Sequence, residues 1–187
     1  MPKFIRIPTP IEMKSLTRIM QIRGTDVFVH WSVFLIAVVM LAGVIREPIV
    51  TLVGLTSYLG VLLIHEAGHL IAAKKMHCQV FSIELYPVFG LTHFQTPWSR
   101  FDHCVIAWAG VIAQLMIAVT ILIWLVMFGY TRFEALNAPL ALLGPFSLAV
   151  AVFNLLPFGR LDGAIAWKLI PEFFKRQRNT RSKSFYQ

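Results

Sequence analysis

The chain has 187 residues, of which 57% are hydrophobic and only 14% are charged. Because soluble domains are typically about 25% charged, this composition excludes an ordinary soluble domain and indicates a membrane protein. The net charge of +8 is concentrated in the tails and in some of the connections, so we interpret it as a topology and lipid-headgroup signal and predict no nucleic-acid partner.

Four apolar stretches are each long enough to cross a bilayer, which requires about 20 residues. The sequence therefore predicts an all-α polytopic membrane protein with about four transmembrane helices. A basic cytosolic N-terminal segment (1–26) and a basic cytosolic tail (171–187) would flank a transmembrane core (27–170). The apolar stretches cover residues 27–45, 48–73, 104–129 and 135–157.

The segments outside the apolar stretches alternate along the chain between rich and poor in lysine and arginine. The N-terminal segment holds five of them, the connection after the second span holds three, and the chain from Arg160 onward holds seven. The other two connections hold one each. Under the positive-inside rule, this alternation predicts that both termini are cytosolic.

The second apolar stretch contains an ionisable cluster, His65-Glu66-Ala67-Gly68-His69, which matches H-E-x-x-H. Residues i and i+4 share one face of a helix, so both imidazoles can reach one metal ion. Zinc (Zn²⁺) accepts nitrogen ligands, and Glu66 is placed to take a proton from a water molecule. Ionisable groups within a span are costly and usually functional, although polar contacts between packed helices are an alternative explanation.

The connection between the second and third spans, residues 77–103, has a strand-like pattern. Apolar and polar residues alternate over 81–86, and residues 91–94 could form a returning strand, which predicts a small membrane-associated β-hairpin. Its free edge could hydrogen-bond an extended peptide by strand addition. A surface loop with two apolar anchors explains the pattern equally well.

The fourth span contains Gly144-Pro145. Because proline removes a backbone donor, this dipeptide predicts a kink or a division of the span.

A zinc site requires a further protein ligand, and Asp162 is the best candidate. At about 1.5 Å per helical residue, His65 lies about 14 Å from Lys74, in the cytosolic half of its span. The fourth span also runs toward the cytosol, so Asn154 and Asp162 fall at a similar depth. The alternative reading of Asp162-Gly163 is a simple turn after a helix.

The motif "HEAGH" together with "FNLLPFGRLDG" resembles the site-2 protease family of intramembrane zinc metalloproteases. The second motif of that family is Asn-x-x-Pro followed by Asp-Gly, matched here by Asn154, Pro157, Asp162 and Gly163. The resemblance extends over residues 23–167 and implies a minimal form without a PDZ or CBS domain.

The resemblance implies a role for each matched polar residue. His65, His69 and Asp162 would bind zinc, and Glu66 would be the general acid/base. Asn154 would contact the substrate backbone or the oxyanion, a role that suits an amide donor, although an interhelical hydrogen bond is the alternative.

One segment departs from the family pattern. The family often carries Ala-Gly-Pro-x-x-Asn in the next core span, whereas this chain has "AGVIAQ" at 109–114. Val111 replaces the proline and Gln114 replaces the asparagine, which leaves the contribution of Gln114 to substrate positioning open.

The predicted function is hydrolysis of peptide bonds within or near the transmembrane segments of single-span membrane proteins. Substrate selection would depend on the spans, the 77–103 connection, the tails or a regulatory membrane partner, and the sequence leaves the oligomeric state open. We expect a multi-pass protein of a prokaryotic cell membrane. The alternatives are a zinc transporter or sensor, in which Glu66 would be dispensable, and an inactive relative.

Overall fold

A computed structural model of the chain describes residues 15–87, 89–159 and 161–184, with side chains up to residue 176. Residues 1–14 of the predicted N-terminal segment and residues 185–187 of the predicted tail lie outside this range. The elements in chain order are β1 (Leu16–Ile22), β2 (Thr25–His30), α1 (Trp31–Leu41), α2 (Pro48–Lys75), β3 (Val80–Leu85), β4 (Gly90–Phe94), α3 (Arg100–Phe128), α4 (Glu134–Ala141), α5 (Ser147–Asn154), α6 (Gly163–Ala166) and α7 (Leu169–Ser184).

Three helical segments are long and apolar enough to cross a membrane: α2, α3 and the continuous stretch Glu134–Asn154. The predicted first span is instead the 11-residue helix α1. At 1.5 Å per residue, α1 is about 17 Å long, short of the roughly 30 Å of a bilayer core. The membrane character of the chain is therefore supported, whereas the predicted count of four spans is not confirmed.

The first predicted span is shorter because its beginning belongs to a strand. Residues of β2 alternate between buried and half-buried positions, the period-2 pattern of a strand with one face against a core. Arg23 and Gly24 form the two-residue turn between β1 and β2, with φ angles of 50° and 82°. Positive φ at both positions gives the turn the twist that a tight hairpin requires.

The predicted hairpin between the second and third spans is confirmed, but it is half of a larger sheet. β3 and β4 pair antiparallel, β2 pairs parallel with β3, and β1 pairs antiparallel with β2. The strand order β1-β2-β3-β4 leaves β4 at one edge. Because α1 and α2 connect the parallel strands β2 and β3, the sheet is joined directly to the helix that carries the H-E-x-x-H motif.

The core of the molecule lies where the sheet packs on α2. Val27 and Val29 of β2, with Ile83 and Leu85 of β3, are at most 3% exposed. The same cluster contains side chains of α2, including Tyr58, Leu62 and Leu70. The Tyr58 hydroxyl also donates to the carbonyl oxygen of Pro87 at 2.6 Å, which fixes the turn of the β3–β4 hairpin against the helix.

The predicted interruption at Gly144-Pro145 is confirmed. A π-helical turn, Leu142–Phe146, separates α4 from α5, as expected where proline breaks the hydrogen-bond ladder. A Cβ on Gly144 would lie 2.9 Å from Cγ2 of Ile121 in α3. The missing side chain therefore lets this turn pack closely on α3.

The predicted basic tail contains regular structure. Helix α7 covers Leu169–Ser184, and the guanidinium carbon of Arg176 lies 4.9 Å from the centre of the Phe101 ring. This stacking joins the helix to the beginning of α3.

Candidate metal centre

Helix α2 places the three motif side chains in the interior of the molecule. His65, Glu66 and His69 are between 1% and 6% exposed. Gly68 allows α2 and α3 to pack closely beside the motif, because a Cβ at this position would lie 2.8 Å from the Cα of Gly110 in α3. Small residues at a helix crossing allow backbones to approach in this way, so α3 forms a wall beside the motif.

The structure brings the three predicted ligands together. The Asp162 Oδ2 lies 2.8 Å from Nε2 of His65 and 3.2 Å from Nε2 of His69. The two Nε2 atoms are 3.1 Å apart. These residues form a group with the ligand types and spacing to hold a metal ion, although they are separated by up to 97 positions in the chain.

The size of this triangle fits zinc. Ligands at about 2.05 Å from a tetrahedral zinc ion lie about 3.3 Å from one another. The observed separations of 2.8, 3.1 and 3.2 Å differ from that value by roughly 0.5 Å or less. Two imidazole nitrogens and one carboxylate also match the donor types of catalytic zinc sites.

The second nitrogen of each imidazole has a hydrogen-bond partner on α3. Nδ1 of His69 lies 2.8 Å from the carbonyl oxygen of Ile106. A carbonyl oxygen only accepts, so Nδ1 of His69 carries the proton and the lone pair of a neutral ring is at Nε2. Nδ1 of His65 lies 3.0 Å from Oε1 of Gln114.

Asp162 is held in place by the turn that follows α5. Its backbone carbonyl accepts from the amide of Ala166 at 2.7 Å, which begins the short helix α6. A Cβ on Gly163 would overlap the backbone of Leu155, so glycine is required for this close approach. Asp162-Gly163 therefore forms a turn after α5, as one interpretation predicted, and the same turn allows the Asp162 side chain to lie beside the two histidines, as the other predicted.

The electrostatic surroundings of Asp162 favour its charged form. Burial acts to raise the pKa of this carboxyl group, but the hydrogen bonds that His65 and His69 donate to it when they carry protons on Nε2 outweigh burial and hold the pKa well below its usual range. The side chain of Asp162 is 22% exposed. An ionised carboxylate is the form that binds a metal ion.

Glu66 is 1% exposed and is held by the hairpin. The Thr92 hydroxyl of β4 donates to Oε2 of Glu66 at 2.6 Å, and a Cβ on Gly90 would overlap the same carboxylate. Gly90 and Thr92 are two positions apart, so they lie on the same face of β4. Oε1 of Glu66 has no hydrogen-bond partner among the described residues.

The sequence motifs did not identify Thr92, Gly90 or the contact that Gln114 makes. The period-2 pattern of the hairpin could have grouped Gly90 with Thr92, but nothing local indicated that this face turns toward α2. Gln114 is fully buried, and its Oε1 contacts His65.

Two further polar residues, Asn154 and His93, are not joined to the ligand triangle by the described contacts. Asn154 ends α5 and is 3% exposed, and its Nδ2 has no partner among the residues that the structure describes. His93, in the connection between the spans, instead contacts Glu84, with 3.1 Å between Nε2 and Oε1.

A cavity of about 200 Å³ lies beside the ligand triangle. Its walls come from α2, β4, α3 and the segment around α6, and they include Glu66, His69, Thr92 and Asp162.

Comparison with known proteins gives a structural match. No protein-family model and no curated protein matches the sequence. The fold is similar to that of a solved structure, the site-2 protease from Methanocaldococcus jannaschii, with a TM-score of 0.63 and 25% sequence identity. The match covers 83% of this chain and 71% of that chain. The resemblance to the site-2 protease family that the paired motifs predict is therefore confirmed by the structure.

Proposed function

We propose that this chain is an intramembrane zinc metalloprotease that hydrolyses peptide bonds within or near the transmembrane segments of single-span membrane proteins. The observation that carries the proposal is the triangle of the buried His65 and His69 with the half-buried Asp162, beside a glutamate with one oxygen that has no hydrogen-bond partner among the described residues. Ionisable groups at membrane depth are costly and usually mark functional sites. The structural similarity to a site-2 protease supports the same reaction class.

The zinc ion would be held by Nε2 of His65, Nε2 of His69 and a carboxylate oxygen of Asp162. When bound, zinc supplies Lewis acidity, which makes water a stronger nucleophile near neutral pH and polarises a carbonyl oxygen. Three protein ligands leave a position open for water or substrate, as catalytic zinc sites require.

Glu66 would move the protons of the reaction. Its Oε2 is fixed by Thr92, so Oε1 is available to accept a proton from the attacking water. The same carboxyl group can then deliver that proton to the nitrogen of the leaving amine. General acid–base catalysis of this kind typically contributes about 10²- to 10⁴-fold to the rate.

The substrate would bind as an extended segment. Helical hydrogen bonds occupy the carbonyl groups of a transmembrane helix, so the segment to be cleaved would have to unwind locally before a carbonyl group becomes accessible. β4 is an edge strand and carries Thr92 beside Glu66. An unwound substrate could pair with this edge, which would restore backbone hydrogen bonds that lipid cannot supply.

Asn154 is proposed to donate to the substrate backbone or to the oxyanion. Its buried amide nitrogen has no hydrogen-bond partner within the described part of the chain, and a buried polar group of this kind calls for an explanation such as a bound substrate. Hydrogen-bond donors directed at developing negative charge are effective where little water competes.

The proposed location is a prokaryotic cell membrane with both termini in the cytosol. Lys74 and Lys75 lie in the last turn of α2, and under the positive-inside rule these charges support a cytosolic location for that end of the helix. The side chain of Lys74 donates to the backbone carbonyl of Arg23, so two of the basic segments meet at this end of the molecule.

The decisive experiment separates hydrolysis from zinc binding alone. The purified chain would be assayed for zinc content and for cleavage of a panel of single-span reporter proteins. We expect Glu66→Gln to retain zinc and to lose cleavage by at least about 100-fold, whereas Asp162→Ala should lose both. Glu47→Gln is a matched control, because Glu47 is an exposed carboxylate immediately before α2, about 28 Å from Glu66 along the helix axis.

The rival functions give different results in this assay. A zinc transporter or sensor, or an inactive relative, would bind zinc without cutting any reporter. Cleavage at the wild-type rate by Glu66→Gln would contradict the proposed mechanism. Undiminished zinc content and activity in Asp162→Ala would mean that the third ligand lies elsewhere.

A further inference from the structure

Gln114 is a polar side chain in the middle of an apolar helix. It is fully buried within α3, a segment whose length and hydropathy allow it to cross a membrane. Its Oε1 lies 3.0 Å from Nδ1 of His65, whereas its Nε2 has no hydrogen-bond partner among the described residues. A buried amide of this kind is expensive to keep, so the single hydrogen bond that it makes needs an explanation.

The chemistry of an imidazole ring fixes the direction of this hydrogen bond. Nε2 of His65 faces His69 and Asp162, so this nitrogen must have a free lone pair if it binds a metal ion. The proton of the neutral ring is then on Nδ1, where it needs an acceptor. Oε1 of Gln114 is an acceptor; the opposite amide orientation would place a donor there and move the ring proton to Nε2.

The contact is one of a pair that α3 makes with the two imidazoles. Nδ1 of His69 likewise donates a hydrogen bond to the carbonyl oxygen of Ile106, at a distance of 2.8 Å. Ile106 and Gln114 are eight positions apart on α3, so they point about 80° apart around the helix axis and lie on the same side of the helix. α3 therefore offers an acceptor to each ring, one from the backbone and one from a side chain.

We propose that Gln114 is a positioning residue for the metal ligand His65, a role different from substrate positioning. The inference rests on the proposed zinc site. By accepting from Nδ1, Gln114 sets the tautomer and the orientation of the ring, so that Nε2 is presented to the ion. Partners of this kind behind a metal-bound histidine typically account for about 10- to 100-fold in metal affinity.

The test measures zinc affinity directly, by competition with a chelator, on the full chain in detergent. Gln114→Met keeps the approximate size of the side chain and removes the acceptor, so zinc should bind about 10- to 100-fold more weakly. Gln114→Glu keeps an acceptor at the same distance, and its affinity should equal or exceed that of the wild type. Ser57→Ala is the matched control, because the hydroxyl of the buried Ser57 donates to the carbonyl oxygen of Val53 in its own helix.

Each result supports or contradicts the inference. Selective weakening in Gln114→Met, with unchanged affinity in Gln114→Glu and Ser57→Ala, supports it. Equal zinc affinity, within about threefold, in wild type and in folded Gln114→Met would overturn it. If Gln114→Met does not fold, Gln114→Glu decides: a roughly tenfold loss of zinc affinity there would overturn the inference.

Failure of the proposed function gives a separate signature. A wild-type chain that binds no zinc would refute the metal site itself. A wild-type chain that binds zinc but cleaves no reporter would refute the protease and leave the role of Gln114 open to the same affinity measurement.

Discussion

The hydrogen bond between Thr92 and Glu66 gives a quantitative prediction for the replacement Thr92→Val. Valine has almost the same shape as threonine, so the exchange removes the hydroxyl without leaving a large cavity. The hydroxyl lies 2.6 Å from Oε2 of a carboxylate that is 1% exposed. Without it, Glu66 loses the contact that fixes the orientation of its carboxylate.

The distance and the burial set the expected magnitude. A hydrogen bond to a charged group contributes about 1.5–3 kcal/mol, and about 1.36 kcal/mol corresponds to a tenfold change in rate. Complete loss of the contact would therefore lower kcat by about 10- to 150-fold. We expect Thr92→Val to fall within this range with little change in KM, because Thr92 acts through the base.

The assay is cleavage of a single-span reporter by the purified chain, with kcat and KM measured separately and zinc content determined in parallel. Thr92→Ser is the matched control, since it keeps the hydroxyl and should stay within about threefold of the wild type. A Thr92→Val kcat within about threefold of wild type would refute the reasoning. Loss of zinc in Thr92→Val would also refute it, because the effect would then reach the metal site.

Two further predictions concern packing and pH. A Cβ on Gly110 would overlap the imidazole of His69, whereas a Cβ on Gly60 would meet nothing within 4 Å. We therefore expect Gly110→Ala to lower the free energy of unfolding by about 1–3 kcal/mol and to weaken zinc binding. Gly60→Ala is the control and should do neither. Equal zinc affinity and equal thermal stability in the two variants would contradict this packing argument. Burial acts to raise the pKa of Glu84, but the hydrogen bond and charge of His93 outweigh it and lower the pKa below its ordinary value of 4.5. The native state then binds fewer protons than the unfolded state, so this stabilisation is complete above pH 4.5 and is lost as the pH falls through the lowered pKa. The difference in Tm between wild type and Glu84→Gln should accordingly shrink on acidification, and a difference that stays constant with pH would disprove the assignment.

Features encoded within a few residues could be predicted from the sequence. The spacing of His65 and His69 places both rings on one helix face, and the structure has them there. The Gly144-Pro145 interruption follows from the missing backbone donor of proline. The alternation in 81–86 predicted a strand, which the structure has as β3. In each case the determining interaction lies within one turn of helix or along one strand.

Other features depended on partners that are distant in the chain. The first predicted span is short because β2 pairs with β3, which lies more than 50 residues later, and an apolar strand of this kind cannot be told from the start of a helix by its composition. Thr92 meets Glu66 across 26 positions, and Gln114 meets His65 across 49.

The sequence by itself determined the chemistry that is available: two imidazoles and a carboxylate on one helix, and an Asp-Gly pair after another. Tertiary structure decided which groups complete the site. Periodicity states which face of an element is buried, but the packing of α2 against α3 and β4 selects the atoms that this face meets. The hydrogen bonds of Gln114 with His65 and of Thr92 with Glu66 therefore form only when these elements pack together.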